Sequence, residues 1–453
     1  MRTLTPIALC ALMGLASAAC AQDSKLVARL DQIVTSYTPN NAFMGAVLVA
    51  EGDRILLNRG YGSAQLEWRI PNAPDVEFRL GSLTKQFTAT LILLLQQDGK
   101  LSIHDPVSKY LADAPKAWEK ITLAELLGHT SGIPDFTSME EFGTWRMNPH
   151  SVEEELALFR DKPLEFEPGS RFAYSNSNYE VLGVVIEKVS GRKYAELLRE
   201  RILDPLKMTH SGLDADELLL PKRAQGYEPG SGGLIPARSE SMSNPWAAGA
   251  LYSTTGDLLK WEQGLFGGKV LSADSLKTMA TPGKGDYGLG VNIHDVNGHR
   301  VITHGGAIEG FVTNLTYVPD RRIAVVVLAN VFGVAPDPMS RQLVDTVLGH
   351  PVTLASERKP VPISKEDLAR FVGVYDLTPK FSVTIAAAGD GLTSQINRRP
   401  AVGLMYQGIQ DGHPRFYMPS LNFEIEFVPA ADGSIASLVL HPNWDSDMRG
   451  PRH

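Results

Sequence analysis

The chain has 453 residues, too many for one compact core, so two or three domains are the prior. Its formal net charge is −8, which advertises no basic face for nucleic acid. With 43% apolar residues it reads as an ordinary soluble globular protein, and beyond the N-terminal segment no apolar run is long enough to span a bilayer.

Residues 1–21 have the pattern of an export signal. Arg2 supplies the charged start and Ile7 to Leu15 the apolar segment. Ala16-Ser17-Ala18 or Ala19-Cys20-Ala21 supplies a small-residue cleavage site. The expectation is a periplasmic or secreted protein. The only cysteines, Cys10 and Cys20, lie in this segment. Cleavage after Ala21 leaves neither a disulfide nor a cysteine nucleophile. Lipidation of Cys20 after cleavage at Ala19 is the alternative, although Ser17-Ala18-Ala19 lacks the usual leucine.

Residues 22–350 read as one α+β unit. Lys25 to Tyr37 has helical spacing and stops before Pro39. Ala46 to Ala50 and Arg54 to Leu57 flank Glu51-Gly52-Asp53, a hairpin signal. Gly60 to Trp68 reads as continuing strand. A strongly apolar helix starts near Ser82 and is closed by Asp98-Gly99. From about 104 to 240 short helical segments alternate with proline and glycine, among them Leu123 to Leu127, Val152 to Arg160 and Tyr179 to Val189, and Gly230 to Gly233 reads as a flexible loop. Strands return at Arg300 to Thr303, Val312 to Tyr317 and Ile323 to Ala329. The pattern predicts an antiparallel sheet flanked by helices, with a helical insertion.

Residues 351–362 are rich in charge and proline, as in a linker. From 363 to 453 short strands are expected at Phe371 to Asp376, Phe381 to Ala386, Leu404 to Gln407, Arg415 to Met418, Phe423 to Pro429 and Ile435 to Leu440. Together they predict a small antiparallel barrel or sandwich.

Three short motifs carry chemistry. In Ser82-Leu83-Thr84-Lys85 the serine and lysine share a helix face, at the positive end of the helix dipole. A lysine buried there reaches its proton-accepting form more readily, which activates a serine. Ser-x-x-Lys also occurs at Ser190–Lys193 and Ser356–Lys359, but only Ser82 precedes a buried helix. Tyr174-Ser175-Asn176 offers a phenol that a neighbouring ammonium stabilises as phenolate. Its amide can bond both lysine and substrate. His304-Gly305-Gly306 ends a strand, its glycines allow close approach to a ligand, and the Ala307 N–H can join that of Ser82 as an oxyanion hole.

The order and separations of Ser82-x-x-Lys85, Tyr174-x-Asn176 and His304-x-Gly306 resemble the serine β-lactamase-related family. That family includes class C β-lactamases, D-Ala-D-Ala carboxypeptidases, D-aminopeptidases and esterases. The runs Phe78 to Thr88, Leu126 to Asp135 and Tyr174 to Tyr179 are similar as well, and the resemblance spans about residues 25 to 345. It implies an acyl-enzyme on Ser82, Lys85 and Tyr174 as the coupled base, Asn176, His304 and Gly306 on the substrate, and no cofactor. A departure bears on specificity. Class C β-lactamases carry Lys-Thr-Gly where this chain has His304-Gly305-Gly306. An imidazole is mostly neutral near neutral pH, which weakens carboxylate recognition and adds weight to esters, amides and short D-amino-acid-containing peptides. The strands from Phe371 resemble the lipocalin-like domain that trails many non-lactamase members.

Two other classes compete. A catalytically silent binding protein would use the same cleft. A metal hydrolase would use His294, His299 and His304, but spacing by five in an extended chain alternates faces and no His-Glu-x-x-His occurs. An α/β-hydrolase is disfavoured because no Gly-x-Ser-x-Gly occurs. Thr137 to His150 and Gly226 to Trp246 are the candidate specificity segments, with a small molecule or short peptide as the expected partner. Oligomeric state is not legible.

Overall fold

The computed structural model describes residues 23–378, 381–397, 401–441 and 447–453; the segment read as an export signal, with Cys10 and Cys20, lies outside them. Among the described residues no helix is long and apolar enough to cross a membrane. The chain divides into two compact units, one ending at Leu348 and the other running from Gly349.

The first unit is organised on strands whose apolar runs are continuous rather than alternating, as expected where both faces are covered. β1 (Gly45–Glu51) is buried from Gly45 to Ala50, and β2 (Arg54–Tyr61) returns through the expected hairpin. The remaining strands are β3 (Asn292–Val296), β4 (His299–Ile308), β5 (Phe311–Val318) and β6 (Ile323–Ala329), the last buried throughout. The six form one antiparallel sheet in the order β3-β4-β5-β6-β1-β2. β1 therefore pairs with β6, Gly45 facing Ala329, and the helical region is inserted between the halves of the sheet. A helix over residues 23–36 precedes the sheet, and helices Thr255–Phe266 and Pro336–Leu348 pack on its strands.

Helix Thr84–Gln97 is buried from Thr84 to Leu95, apolar nearly all round as a central helix must be. It packs on helix Asn176–Ser190, which ends on Gly191 in the left-handed conformation, φ 69°. Three local readings differ from the structure. Gly60 to Trp68 is not one strand: the chain turns at Gly62, φ 63°, and Ser63–Gln65 pairs with Ile70–Pro71. The Gly230–Gly233 segment is the turn of a hairpin between Tyr227–Gly230 and Gly233–Pro236. The edge strand β3 escaped notice because Asn292, His294 and Asp295 dilute its apolar signal.

The second unit is an eight-stranded antiparallel sheet in which each strand pairs with the next. The bridge Tyr375↔Arg452 and the bond from His453 N–H to Val374 O, 2.9 Å, bring the last strand onto the first, nearly closing a barrel. Phe371, Tyr375, Phe416 and Phe427 fill its core. Strands Gly391–Ile396 and Met448–Pro451 add to the six expected.

Candidate active site

Strand Phe78–Arg79 runs into a 3-10 turn, Gly81–Leu83, so Ser82 lies just ahead of the α-helix rather than inside it. Gly81 has φ +57°, and a Cβ there would fall 2.7 Å from the Ala307 nitrogen. Only glycine tolerates both that backbone and that approach, and the contact sets the Ser82 turn against β4.

Lys85, in the first turn of the helix, is fully buried. Its Nζ is 3.0 Å from Ser82 Oγ, 2.8 Å from Asn176 Oδ1 and 2.9 Å from Ala248 O. These match the three donors of an ammonium. Burial nevertheless lowers its pKa from 10.5 to about 7, against the opposing pull of Asp135 and Glu180. Near neutral pH both protonation states are populated, and the neutral amine can accept the Ser82 proton along the same 3.0 Å contact.

Ser82 lies close enough to Tyr174 to pull its pKa down, and Lys85 Nζ lies 5.0 Å from the Tyr174 ring centroid. One edge of the ring is open, 37% exposed, while protein crowds the rest. That desolvation raises the phenol pKa more than the neighbouring Ser82 lowers it. The expected resting phenolate is therefore corrected: the ammonium sits over the ring face, and the neutral phenol is the favoured form.

The Tyr174 segment is clamped by His129. Ala173 N–H donates to His129 O, 2.9 Å, Ser175 N–H donates to His129 Nδ1, 3.2 Å, and the imidazole lies 4.2 Å from the Tyr174 ring, centre to centre. Burial holds His129 well below its ordinary pKa, so Nδ1 is free to accept. Asn176 begins its helix with its amide oriented at both ends. Oδ1 accepts from Lys85, and Nδ2 donates to Asp135 Oδ1, 3.2 Å, and to Thr137 Oγ1, 3.2 Å. The Asp135 carboxylate also accepts from Asn176 N–H, 3.0 Å, a favourable place for an anion at a helix start. One turn on, Glu180 is fully buried. It accepts from Ala248 N–H, 3.1 Å, and burial raises its carboxyl to about 8.

His304 is 3% exposed, and both its ring nitrogens are engaged. Nδ1 lies 2.6 Å from Gly305 O, which can only accept, so Nδ1 carries the proton. Nε2 then accepts from the Tyr287 hydroxyl, 2.9 Å. Burial and the nearby Lys85 depress its pKa to about 4. Gly306 is fixed by contact with the nucleophile turn's approach, since a Cβ there would sit 1.9 Å from Leu80 O. The other histidines weighed as metal ligands do not gather around His304. His299 Nδ1 is bonded to Asp320, 2.6 Å, and among the described residues no cluster of His, Cys, Asp or Glu could hold a metal ion.

A cavity of about 460 Å³ opens on Ser82, Asn176 and Ala307. Tyr174, His304, Gly306 and Lys85 are not in its lining. Both candidate specificity segments contribute, the first through Thr137, Met139, Phe142 and Arg146 and the second through Glu240 and Pro245. They are tied together, as Ser241 N–H donates to Arg146 O, 2.9 Å, and Asn244 Nδ2 donates to the same oxygen, 2.9 Å. Arg146 is ion-paired with Glu309. His129, Asp135, Glu180, Tyr287 and Glu240 were not singled out from the sequence. His129 and Asp135 lie in the run Leu126 to Asp135, quoted without roles; the other three belong to no motif.

A sequence model described as Beta-lactamase matches residues 30–348. Putative penicillin-binding protein PbpX of Bacillus subtilis (strain 168) is 33% identical over 261 residues, covering 57% of this chain and 64% of that protein, so the chain spans less than two thirds of PbpX. Penicillin-binding protein 4* of the same organism is 27% identical over 438 residues, covering 89% of this chain and 94% of that protein. Among solved structures, the octameric penicillin-binding protein homologue from Pyrococcus abyssi superposes with TM-score 0.68 at 25% identity, covering 94% and 99% of the two chains. D-amino acid amidase from Ochrobactrum anthropi SV3, complexed with L-phenylalanine amide, superposes with TM-score 0.61 at 25% identity, covering 72% and 98%.

Proposed function

Because the chain belongs to the Beta-lactamase family, we propose that it is an exported serine hydrolase acting through an acyl-enzyme on Ser82, on esters, amides or short D-amino-acid-containing peptides. The observation that carries the reading is the hydrogen bonding of one buried amine, Lys85 Nζ, to Ser82 Oγ at 3.0 Å and Asn176 Oδ1 at 2.8 Å, with Tyr174 close beside it, its ring centroid 5.0 Å from the same nitrogen.

In this reading Ser82 Oγ attacks the substrate carbonyl carbon and its proton passes to the neutral amine of Lys85. The oxyanion is held by the N–H groups of Ser82 and Ala307. As the tetrahedral intermediate collapses, the C–O or C–N bond breaks. The Tyr174 hydroxyl donates its proton to the leaving group and recovers one from the Lys85 ammonium. Deacylation reverses the roles: water attacks the acyl carbon, loses a proton to the Tyr174–Lys85 pair, and Ser82 Oγ departs protonated. The pair titrates as a unit. Asn176 and Asp135 keep the amine aimed at Ser82.

A second reading, acylation by β-lactams or D-Ala-D-Ala peptides, is favoured by the relatives named as penicillin-binding proteins. Against it stands a neutral His304 with both ring nitrogens occupied at the position where class C β-lactamases carry a cationic lysine. The test is a turnover panel of p-nitrophenyl esters, D-amino-acid amides and nitrocefin with fluorophosphonate labelling, run on wild type and Ser82→Ala. Ser82-dependent labelling and ester or amide turnover are expected. Equal labelling of both proteins would remove the nucleophile, and labelling with no turnover of any substrate would favour a silent binding protein. Export rests on residues 1–21 and is tested by sequencing the N-terminus of the protein recovered outside the cytoplasm.

A further inference from the structure

Glu240 is the charged group in the cavity that the mechanism above leaves unused. It lines the same space as Ser82, Asn176 and Ala307, is only 9% exposed, and among the described residues its carboxylate has no hydrogen-bond or ion-pair partner. Buried carboxylates are almost always bonded, and one left open toward a binding cavity lacks a partner that a ligand can supply. We propose that Glu240 receives a protonated amine on the acyl half of the substrate, so that the site prefers aminoacyl amides, anilides and esters to acyl groups lacking an amine or carrying a carboxylate.

The charges around the cavity point the same way. Its other ionisable lining groups are Glu140, Glu309 and Arg146. Arg146, the one cation in the lining, is already paired with Glu309. Arg79, whose field also reaches Glu240, is bonded to Asp214 at 2.9 Å. The surplus is negative, which repels a substrate carboxylate and attracts an ammonium. Burial, with Glu309 adding, raises the Glu240 carboxyl to about 7 against Arg146 and Arg79; an ammonium in contact would stabilise the ionised form.

The position is built rather than loose. Next to Glu240, Ser241 N–H bonds to Arg146 O, 2.9 Å, and Met242 N–H bonds to Asp216 Oδ1, 2.9 Å. Phe136, Phe142, Met139 and Ile308 give the cavity apolar wall, suited to a hydrophobic side chain on the same aminoacyl group. An amine at Glu240 and a carbonyl at Ser82 would fix two points of the acyl group, and the apolar wall a third. That is the geometry by which a site distinguishes the two configurations at the α-carbon.

This inference rests on Ser82 being the acylated residue, and the experiment separates the two. The p-nitroanilides of D- and L-phenylalanine are compared with 3-phenylpropionyl p-nitroanilide, which lacks only the amine, on wild type and Glu240→Gln. Wild type is expected to prefer one phenylalanine anilide by about tenfold or more in kcat/KM, the scale of a charge-assisted bond. Glu240→Gln should lower that preference by a similar factor. A second measurement needs no variant: 2-phenylethylammonium should protect wild-type Ser82 from a fluorophosphonate at concentrations where 3-phenylpropionate does not. Equal use of amine and des-amino substrates with Ser82 still labelled overturns this inference alone. Absence of Ser82 labelling overturns the reading beneath it.

Discussion

The state of Lys85 at neutral pH is the sharpest quantity the site offers. At its ordinary pKa of 10.5, about one molecule in three thousand would hold a free amine at pH 7. With the pKa lowered to about 7, roughly half do. Burial therefore raises the population of the proposed base by about a thousandfold, a shift of some 5 kcal/mol between the two states. The second-order rate of Ser82 labelling by a fluorophosphonate, measured from pH 5 to 10, should rise as the ammonium loses its proton, with a midpoint near 7, and then level. Asp135→Asn removes a negative charge that raises the Lys85 pKa, so it should move the midpoint toward lower pH. His129 and His304, both depressed below the ordinary imidazole value, have no transition there. Glu240 and Glu180 sit near 7 and 8, so the limb must persist in Glu240→Gln and in Glu180→Gln. A midpoint near 10, or a limb unmoved in Asp135→Asn, would refute Lys85 as the base. The same shift acts on stability with a definite sign. The folded pKa lies below the unfolded one, so this group favours folding fully only above about pH 10.5. It destabilises progressively as pH falls toward 7 and by a constant amount below.

Tyr174→Phe removes the proposed proton donor to the leaving group; kcat should fall by about 10²–10⁴ on anilides and by less on p-nitrophenyl esters, whose leaving group needs no proton. An equal loss on both would argue against that role. His129→Ala strands the buried Ser175 N–H that now bonds to His129. It should lower kcat more than it raises KM, keep the acid limb in place and cost about 1–3 kcal/mol in denaturant unfolding; a displaced limb would make His129 a titrating participant instead. Gly306→Ala drives a methyl to 1.9 Å from Leu80 O, so β4 must move. A loss of about 1–3 kcal/mol together with slower Ser82 labelling is expected, and a fully active, equally stable variant would contradict the contact.

What was legible in the sequence follows from the range of each signal. β1 and β6 carry unbroken apolar runs that read as buried strands with no knowledge of their partners. The helix from Thr84 carries an unbroken apolar run, Leu91 to Leu95, that covers its whole circumference, and that alone marks it as central. The hairpin at Gly230–Gly233 was read as loop because its flanking strands are short, glycine- and proline-bearing, and half exposed. In the site, Ser82, Lys85, Tyr174 and Asn176 stand in short motifs and the structure brings them together. The residues that govern their charge states do not. Asp135 reaches Asn176, Glu180 faces Lys85 and Tyr287 caps His304 only once the helices are docked, and spacing along a chain carries no trace of that. The phenolate expectation failed for the same reason: a neighbouring ammonium is easy to foresee, but desolvation is a property of packing.

The pairing of β1 with β6 also governs when the pocket can exist. β1 finds its β6 neighbour only when nearly the whole first unit is available, and Ala307 lies almost as far along the chain. Partial chains thus hold an unactivated serine and an unsatisfied strand edge, and such distant pairing slows folding. A competent site therefore requires the first unit to be assembled nearly to its end.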